Sequence, residues 1–369
     1  MTSPEFTPTT TYFRGRVALA AILRALGIGR GDEVATQAFT CVAVPEGVMA
    51  TGARSSWIDV DHDGYTMSAA DLRTKITPRT RAVLVQHTYG IPADMDPILD
   101  IAREAGLPVI EDCCHTFTST YRGALVGTLG TASFYSYEWG KPIVAGLGGG
   151  AVANDPALRE RLLEDYAGYS EPGMARLARI QAQYNAFGLL FRPRFYWPVR
   201  AAFRRLGSSG IVEGNYNPVG GDHVASDFHL RMAPALEKRL QRKLALVPEF
   251  TRRSGEIVEE YVNGIRTGVV IHPTQHGDRD VTYARYPLRA HDKRGLLAAA
   301  RQANVELAEW FVTPVHPLQG DALRSVNYNS GSCPNAEAMC EQVVSLPTHN
   351  RVTDRDVQRA LEFFRAWAP

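Results

Sequence analysis

Between Arg81 and Tyr137 the sequence alternates short apolar runs with one helical repeat, and nothing else in the chain constrains its fold so tightly. Arg81–Gln86 (RAVLVQ) is apolar and β-branched. Asp94–Ala105 (DMDPILDIAREA) has helical spacing and stops at Gly106. Leu107–Ile110 (LPVI) reads as a second buried strand, running into Glu111-Asp112, and Thr131–Tyr137 (TASFYSY) as a third. Strand, helix, strand in this rhythm makes βαβ units, hence an α/β fold with a mostly parallel central sheet. In such sheets ligand chemistry collects beyond the carboxyl ends of the strands. Asp112 and the segment Ser136–Lys141 both fall there.

The chain has 369 residues, more than one ordinary compact domain holds, and two domains around a cleft are expected. Residues 1–12 read as an N-terminal arm, 13–245 as a large domain and 246–369 as a smaller α+β domain. Leu19, Leu23 and Leu26 fall at i, i+4 and i+7, giving a helix over Arg16–Leu26 with Gly27 placed as its C-cap. GRGDEVATQAF follows as turn then strand. From Phe228 to about Tyr261 the pattern is helical. Further on, strands are expected near Tyr283–Leu288 and Trp310–Val312, and helices near Lys293–Ala303, Asn335–Val343 and Asp354–Ala366.

Hydrophobic residues make up 45% and charged residues 21%, as in a globular protein, and the net charge is +1. A nucleic-acid binder driven by bulk charge is disfavoured. Five cysteines, with no CxxC or Cys/His metal spacing, suggest neither a disulfide framework nor a metal site. Reduced thiols, a polar N-terminus (MTSPEFTPTT) and no apolar run of membrane-spanning length together lead to the expectation of a cytoplasmic protein. One segment stands apart. Ala186–Leu206 (AFGLLFRPRFYWPVRAAFRRL) mixes aromatics with five arginines and two prolines. It reads first as a surface excursion that packs on its own domain or on a partner subunit. The sharper reading is contact with a membrane surface or a lipid-linked substrate, because aromatic and basic residues together suit that interface.

Several residues are equipped for cofactor chemistry. Asp112 ends an apolar strand, and a buried carboxylate there must be paired; a protonated pyridine nitrogen is a good partner, a structural role or helix cap the plain alternative. Lys141 follows an apolar, aromatic strand (SFYSYEWGKPIV), where burial lowers a lysine's proton affinity and frees its amine for carbonyl attack. A snorkelling surface lysine is its alternative. Ser136, five residues earlier, has a hydroxyl suited to phosphate or to a simple polar face. Gly15 and Arg16 begin the first helix, whose free amides and guanidinium make an anion site or an ordinary helix start. Gly146, Gly148, Gly149 and Gly150 permit close backbone approach, or else a turn. They form neither GxGxxG nor a Walker loop.

The order of these signals resembles the DegT/DnrJ/StrS aminotransferases, the sugar aminotransferases of fold-type I that use pyridoxal 5′-phosphate (PLP). The resemblance runs from about Arg14 to Phe364. It is carried by GIGRGDEV, TPRTRAVLVQHTYGIPADMDPILDIAREAGLPVIEDCCHT, RGALVGTLGTASFYSYEWGK and CPNAEAMCEQVVSLPTHNRVTDRDV. It implies that Lys141 is the Schiff-base lysine and that Asp112 pairs with the pyridine nitrogen. It further implies that His115 lies near the ring and that Ser136 and Gly15-Arg16 hold the phosphate. Thr40 would lie in the loop near substrate and cofactor. His229-Leu230-Arg231 takes the place of the family's Asn-x-Arg element, which reaches the phosphate of a partner subunit, so a homodimer with its active site at the interface is implied. Arg16 replaces the family's usual Thr, Cys41 stands near a place that is often aromatic, and His229 replaces Asn. One branch of the family has histidine at the lysine position and dehydrates its substrate; lysine here favours transamination. The implied reaction moves an amino group from glutamate or glutamine to a keto-sugar, nucleotide-linked. Non-transaminating PLP chemistry, a non-sugar carbonyl and a PLP-bound regulator are the alternatives. His87, Tyr89, Arg285 and His316 are candidate substrate-pocket residues.

Overall fold

The computed structural model describes residues 7–208, 212–213 and 226–367. Its centre is a sheet of seven strands: β1 (Thr10–Tyr12), β2 (Glu33–Gln37), β3 (Arg54–Ile58), β4 (Thr80–Gln86), β5 (Val109–Asp112), β6 (Ala132–Ser136) and β7 (Gly149–Ala153). The spatial order is β1-β7-β6-β5-β4-β2-β3. Neighbours from β3 to β6 are parallel, while β7 runs against both β6 and β1. The three runs that set the expected rhythm are therefore adjacent strands, and their buried stretches explain why they are mostly apolar rather than alternating.

Helix α1 (Gly15–Ala25) is buried along almost its whole length, with Val17 to Leu23 at zero exposure. A helix apolar on all sides belongs in an interior. Gly27 takes a positive φ of 74° just past its end, the C-cap conformation expected there. α2 (Met95–Glu104) connects β4 to β5. The segment after β7 contains α3 (Met174–Leu190) and α4 (Tyr196–Ser208), and α5 (Pro234–Leu244) and α6 (Val247–Gly264) lead into the last third. There α7 (Lys293–Gln302), α8 (Pro334–Gln342) and α9 (Asp354–Ala366) accompany the antiparallel pair β8 (Arg285–Arg289) and β9 (Val343–Pro347).

Some elements differ from expectation. Of the stretch read as an arm, residues 1–6 lie outside the described residues, whereas Thr10–Tyr12 form the edge strand β1. Trp310–Val312 is irregular chain, not a strand. Val343 opens β9 instead of closing a helix, because the run VVSLP is wholly buried and its paired valines fit a pleated surface better than a helix. Gly149 and Gly150 are strand residues, and a Cβ on Gly149 would collide with the backbone of Arg14 and Gly15. Glycine is required where β7 passes the start of α1.

The last third packs onto the carboxyl ends of the sheet. Tyr286, Leu288, Leu296, Met339, Leu346 and Leu361 share one apolar cluster with Phe39, Tyr65 and Tyr89, which follow β2, β3 and β4. Each fully buried side chain of this size contributes about 2 kcal/mol. Thr40-Cys41 also pairs in parallel with Val315-His316, stitching the loop after β2 to the C-terminal part. A cleft is thereby held where the parallel strands end.

Candidate active site

Strand register assembles the centre of this cleft. Asp112 is the last residue of β5, opposite Gln86 on β4 and Phe134 on β6. Ser136 ends β6, two residues further along. The chain then turns, and Lys141 follows Gly140, whose φ of 77° lets the turn reverse. Tyr137 fixes this turn by donating to the Gly148 carbonyl and accepting from the Ala145 amide, each at 2.9 Å. Gly15 starts α1 so close to Ser136 that an added Cβ would sit 3.0 Å from the serine's own. One cavity is lined by Gly15, Arg16, Cys41, Gln86, Asp112, Cys114, His115, Ser136, Glu138, Trp139, Lys141, Trp310, Phe311 and His316.

The cavity fits PLP on three counts. Asp112 is buried and accepts from the Cys114 amide at 2.9 Å, but no cation lies within ion-pairing distance among the described residues. Burial pushes its carboxyl above the usual carboxylate range, and the positive charge of Lys141 only partly opposes this. A pyridinium N–H is the partner such a group lacks. The phosphate end is equally prepared. The start of α1 carries no acidic residue in its first turn and no side-chain cap. Arg16 is buried against Glu46, yet its Nε has no hydrogen-bond partner among the described residues. Flat surfaces for the ring come from His115 and Trp310, whose rings lie at 17° with centroids 5.8 Å apart. His115 Nδ1 accepts from the Tyr89 amide at 3.2 Å, and burial followed by the charge of Lys141 holds the imidazole neutral, well below its ordinary value.

The structure does not bring every candidate residue to the cavity. Thr40 is buried behind it, bonded to Gln86, while its neighbour Cys41 supplies the wall. His87 is a core residue: Nδ1 accepts from the Ala93 amide at 3.1 Å, so the Nε2 proton faces Glu111 at 3.0 Å. Glu111 also accepts from the amides of Gly127, Leu129 and Gly130 at 2.7, 2.8 and 2.7 Å. Cys113 lies close to this pair, but the lone pairs of His87 and Glu111 are already taken, so the cluster pins the loop before β6 rather than offering ligands to an ion. Tyr89 is enclosed by Phe39, Tyr65 and Phe311. His229 is exposed, and Arg231 pairs with Glu171 at 2.9 Å; neither lines the cavity. Their expected role is toward a partner subunit.

Gln86, Cys114, Glu138, Trp139, Trp310 and Phe311 line the cavity without having been singled out in the sequence. Glu138 lies inside the motif leading to Lys141 and is held by Arg14 at 3.0 Å, while Arg14 is itself held by Asp227 at 2.6 Å. Gln86 ends a strand that was recognised. Trp310 and Phe311 carried no local signal, since they reach the cavity only through the packing of the last third.

A second chamber adjoins the first and shares Lys141 and His115 with it. Phe187 and Phe191, from the unusual aromatic segment, form part of its wall with Phe250, Lys243, Arg285 and Arg351. Its lining holds no aspartate or glutamate among the described residues. Arg285 is buried and neutralised by Glu306 at 2.8 Å. Lys243 and Arg351 have no carboxylate within ion-pairing distance among the described residues, and the Arg351 guanidinium stacks 4.6 Å from the Phe187 ring centroid. Arg285 therefore serves the chamber wall, whereas the other two are open positive charge.

The likeness to known proteins agrees with this chemistry. The family model described as the DegT/DnrJ/EryC1/StrS aminotransferase family matches residues 9–194 and 198–365. The chain is 42% identical over 364 residues, covering 95% of it and 82% of the relative, to a UDP-N-acetyl-3-dehydro-alpha-D-glucosamine 3-aminotransferase of Acidithiobacillus ferrooxidans. It is 42% identical to the GDP-perosamine synthase of Escherichia coli O157:H7 over 154 residues, a match spanning 42% of each chain. The crystal structure of S. venezuelae DesV in complex with a ketimine intermediate superposes with a TM-score of 0.73 at 25% identity, covering 97% of this chain and 84% of that one. The chain belongs to the DegT/DnrJ/EryC1/StrS aminotransferase family and is a PLP-dependent aminotransferase.

Proposed function

We propose that the protein transfers an amino group from glutamate or glutamine to a keto-sugar carried on a nucleotide, with Lys141 as the residue that holds PLP. One observation carries the assignment of roles: a single cavity gathers the Lys141 amine, an unpaired buried Asp112 and the open start of α1 beside Ser136. PLP, when bound, supplies an electron sink that the protein itself lacks. Asp112 would keep a proton on the pyridine nitrogen. The Gly15 and Arg16 amides, the Ser136 hydroxyl and the Arg16 guanidinium would take the phosphate. His115, neutral and stacked, would lie against the ring. With PLP bound, Lys141 Nζ would be the group placed to take a proton from the donor's Cα and to return one. The Trp310 ring centroid lies 5.9 Å from that amine, within reach of a cation–π contact.

The acceptor assignment draws on the relatives named for GDP- and UDP-linked sugars and on the adjoining chamber. A chamber without carboxylates, with Lys243 and Arg351 as open cations, suits a diphosphate. The test is to supply ¹⁵N-labelled glutamate and glutamine, amine-labelled and amide-labelled, with a panel of keto-sugars, free and nucleotide-linked. Label recovered in a nucleotide-linked amino sugar is the expected result. Label recovered only in free sugars, or a dehydrated product without label, would overturn this reading.

A further inference from the structure

The bend joining α3 to α4 is both basic and partly apolar at its surface. Residues 174–208 contain seven arginines and no lysine, aspartate or glutamate, in a chain whose net charge is only +1. Leu189, Leu190 and Phe195 are 72%, 50% and 37% exposed. Between them stand Arg192 and Arg194, both exposed and neither with a carboxylate within ion-pairing distance among the described residues. Along α3 the outward stripe continues through Ala186, Ala182, Ala178 and Ala175 to the exposed Met174.

The inward face is already spent. Ile180 is fully buried. Trp197 Nε1 donates to the Val305 carbonyl at 2.9 Å, Asn304 donates to the Arg194 carbonyl at 3.0 Å, and Arg200 pairs with Glu309. The excursion therefore does pack on its own chain, as first expected, and this anchoring holds the bend Leu189–Phe195 with its leucines, phenylalanine and arginines turned outward. Large apolar side chains interleaved with unpaired arginines are the composition that enters the headgroup layer of a charged bilayer.

We propose that the bend Leu189–Phe195 docks the enzyme on an anionic lipid surface. A second copy of the chain is the poorer occupant, because face-to-face packing would set two acid-free, arginine-rich segments against each other. Phe191, in the middle of the bend, points the other way and lines the chamber beside Lys141, so docking would bring that chamber close to the bilayer. The proposal does not depend on the identity of the acceptor.

Flotation of the full-length, PLP-loaded protein with vesicles tests it. Phosphatidylcholine vesicles are compared with vesicles of phosphatidylcholine mixed with phosphatidylglycerol, using wild type, the double variant Leu189→Ser/Leu190→Ser and the double variant Arg192→Glu/Arg194→Glu. Circular dichroism and sedimentation velocity are recorded for each. The expected result is partitioning to the anionic vesicles alone, weakened by salt and reduced about tenfold or more in either variant, with the oligomeric state unchanged. Wild type that floats no better with anionic than with neutral vesicles would overturn the proposal. So would variants that keep wild-type partitioning. Variants that dissociate into smaller species would assign the face to a subunit interface instead.

Discussion

The imidazole of His115 lies nearly parallel to the indole of Trp310, at 17° and 5.8 Å between centroids, in a cavity that also holds the Lys141 amine. A buried, stacked histidine beside a lysine resists protonation, and its proton affinity in the folded protein falls well below the ordinary 6.5. The sign follows from linkage. Below about pH 6.5 the unfolded chain binds a proton here that the folded chain refuses, so stability is full above that pH and falls as the solution is acidified. His115→Gln removes the titration while keeping a flat polar group. Chemical denaturation of the apoprotein from about pH 7.5 to about 5.5 is expected to show wild type losing up to ~1 kcal/mol per pH unit relative to the variant below 6.5.

Asp112 carries the opposite balance. Its carboxyl is raised above 3.8 by burial, so the protonated form is favoured in the fold. That contribution is present at acid pH and lost as pH rises through the folded value, leaving an uncompensated ionised group near neutrality in the absence of a cation. Asp112→Asn is therefore expected to raise the melting temperature of the apoprotein at neutral pH by roughly 2 °C, a gain that disappears in acid. The same change should lower turnover by about a hundredfold or more, because asparagine cannot hold a proton on the pyridine nitrogen. Calorimetry of the apoprotein together with steady-state rates separates the two effects.

Glu111 illustrates a residue of purely structural consequence. It satisfies three backbone amides and His87, all in the interior. Glu111→Ala leaves these donors without partners and is expected to cost about 3 kcal/mol or more. Urea unfolding measures the loss. The folded fraction that remains should bind donor with an unaltered KM.

The second chamber makes a kinetic prediction. Lys243→Ala and Arg351→Ala each remove an open cation from a wall without acids. Each is expected to raise the KM for a nucleotide-linked acceptor about tenfold, with the rate of the donor half-reaction in single turnover nearly unchanged. Equal losses in both half-reactions would place these residues outside the acceptor site.

Much of this was legible in the sequence because the relevant forces are local. A strand buried on both faces must be apolar throughout, so β4, β5 and β6 announced themselves, and polar residues at their carboxyl ends, Asp112 and Ser136, stood out against that background. Lys141 was conspicuous for the same reason. Residues whose place depends on packing between distant parts were not legible. Trp310 reads as a strand residue until the last third folds over the sheet, and Thr40-Cys41 meets Val315-His316 only through that closure. His87 and Tyr89 sit just past a strand end, as pocket residues do, yet a hydrogen bond to Glu111 and an aromatic enclosure turn them into the core. The glycines near 149 read as a site of close backbone approach or as a turn, and what they approach, the backbone of Arg14 and Gly15, lies more than a hundred residues away in sequence.

The role of Lys141 is tested most directly by replacing it with alanine, reconstituting with PLP, dialysing, and recording the visible spectrum alongside single-turnover amino transfer. The absorbance retained by wild type is expected to be lost and turnover to fall a thousandfold or more, at least about 4 kcal/mol of barrier. A Lys141→Ala protein that keeps both the absorbance and normal turnover would contradict this role.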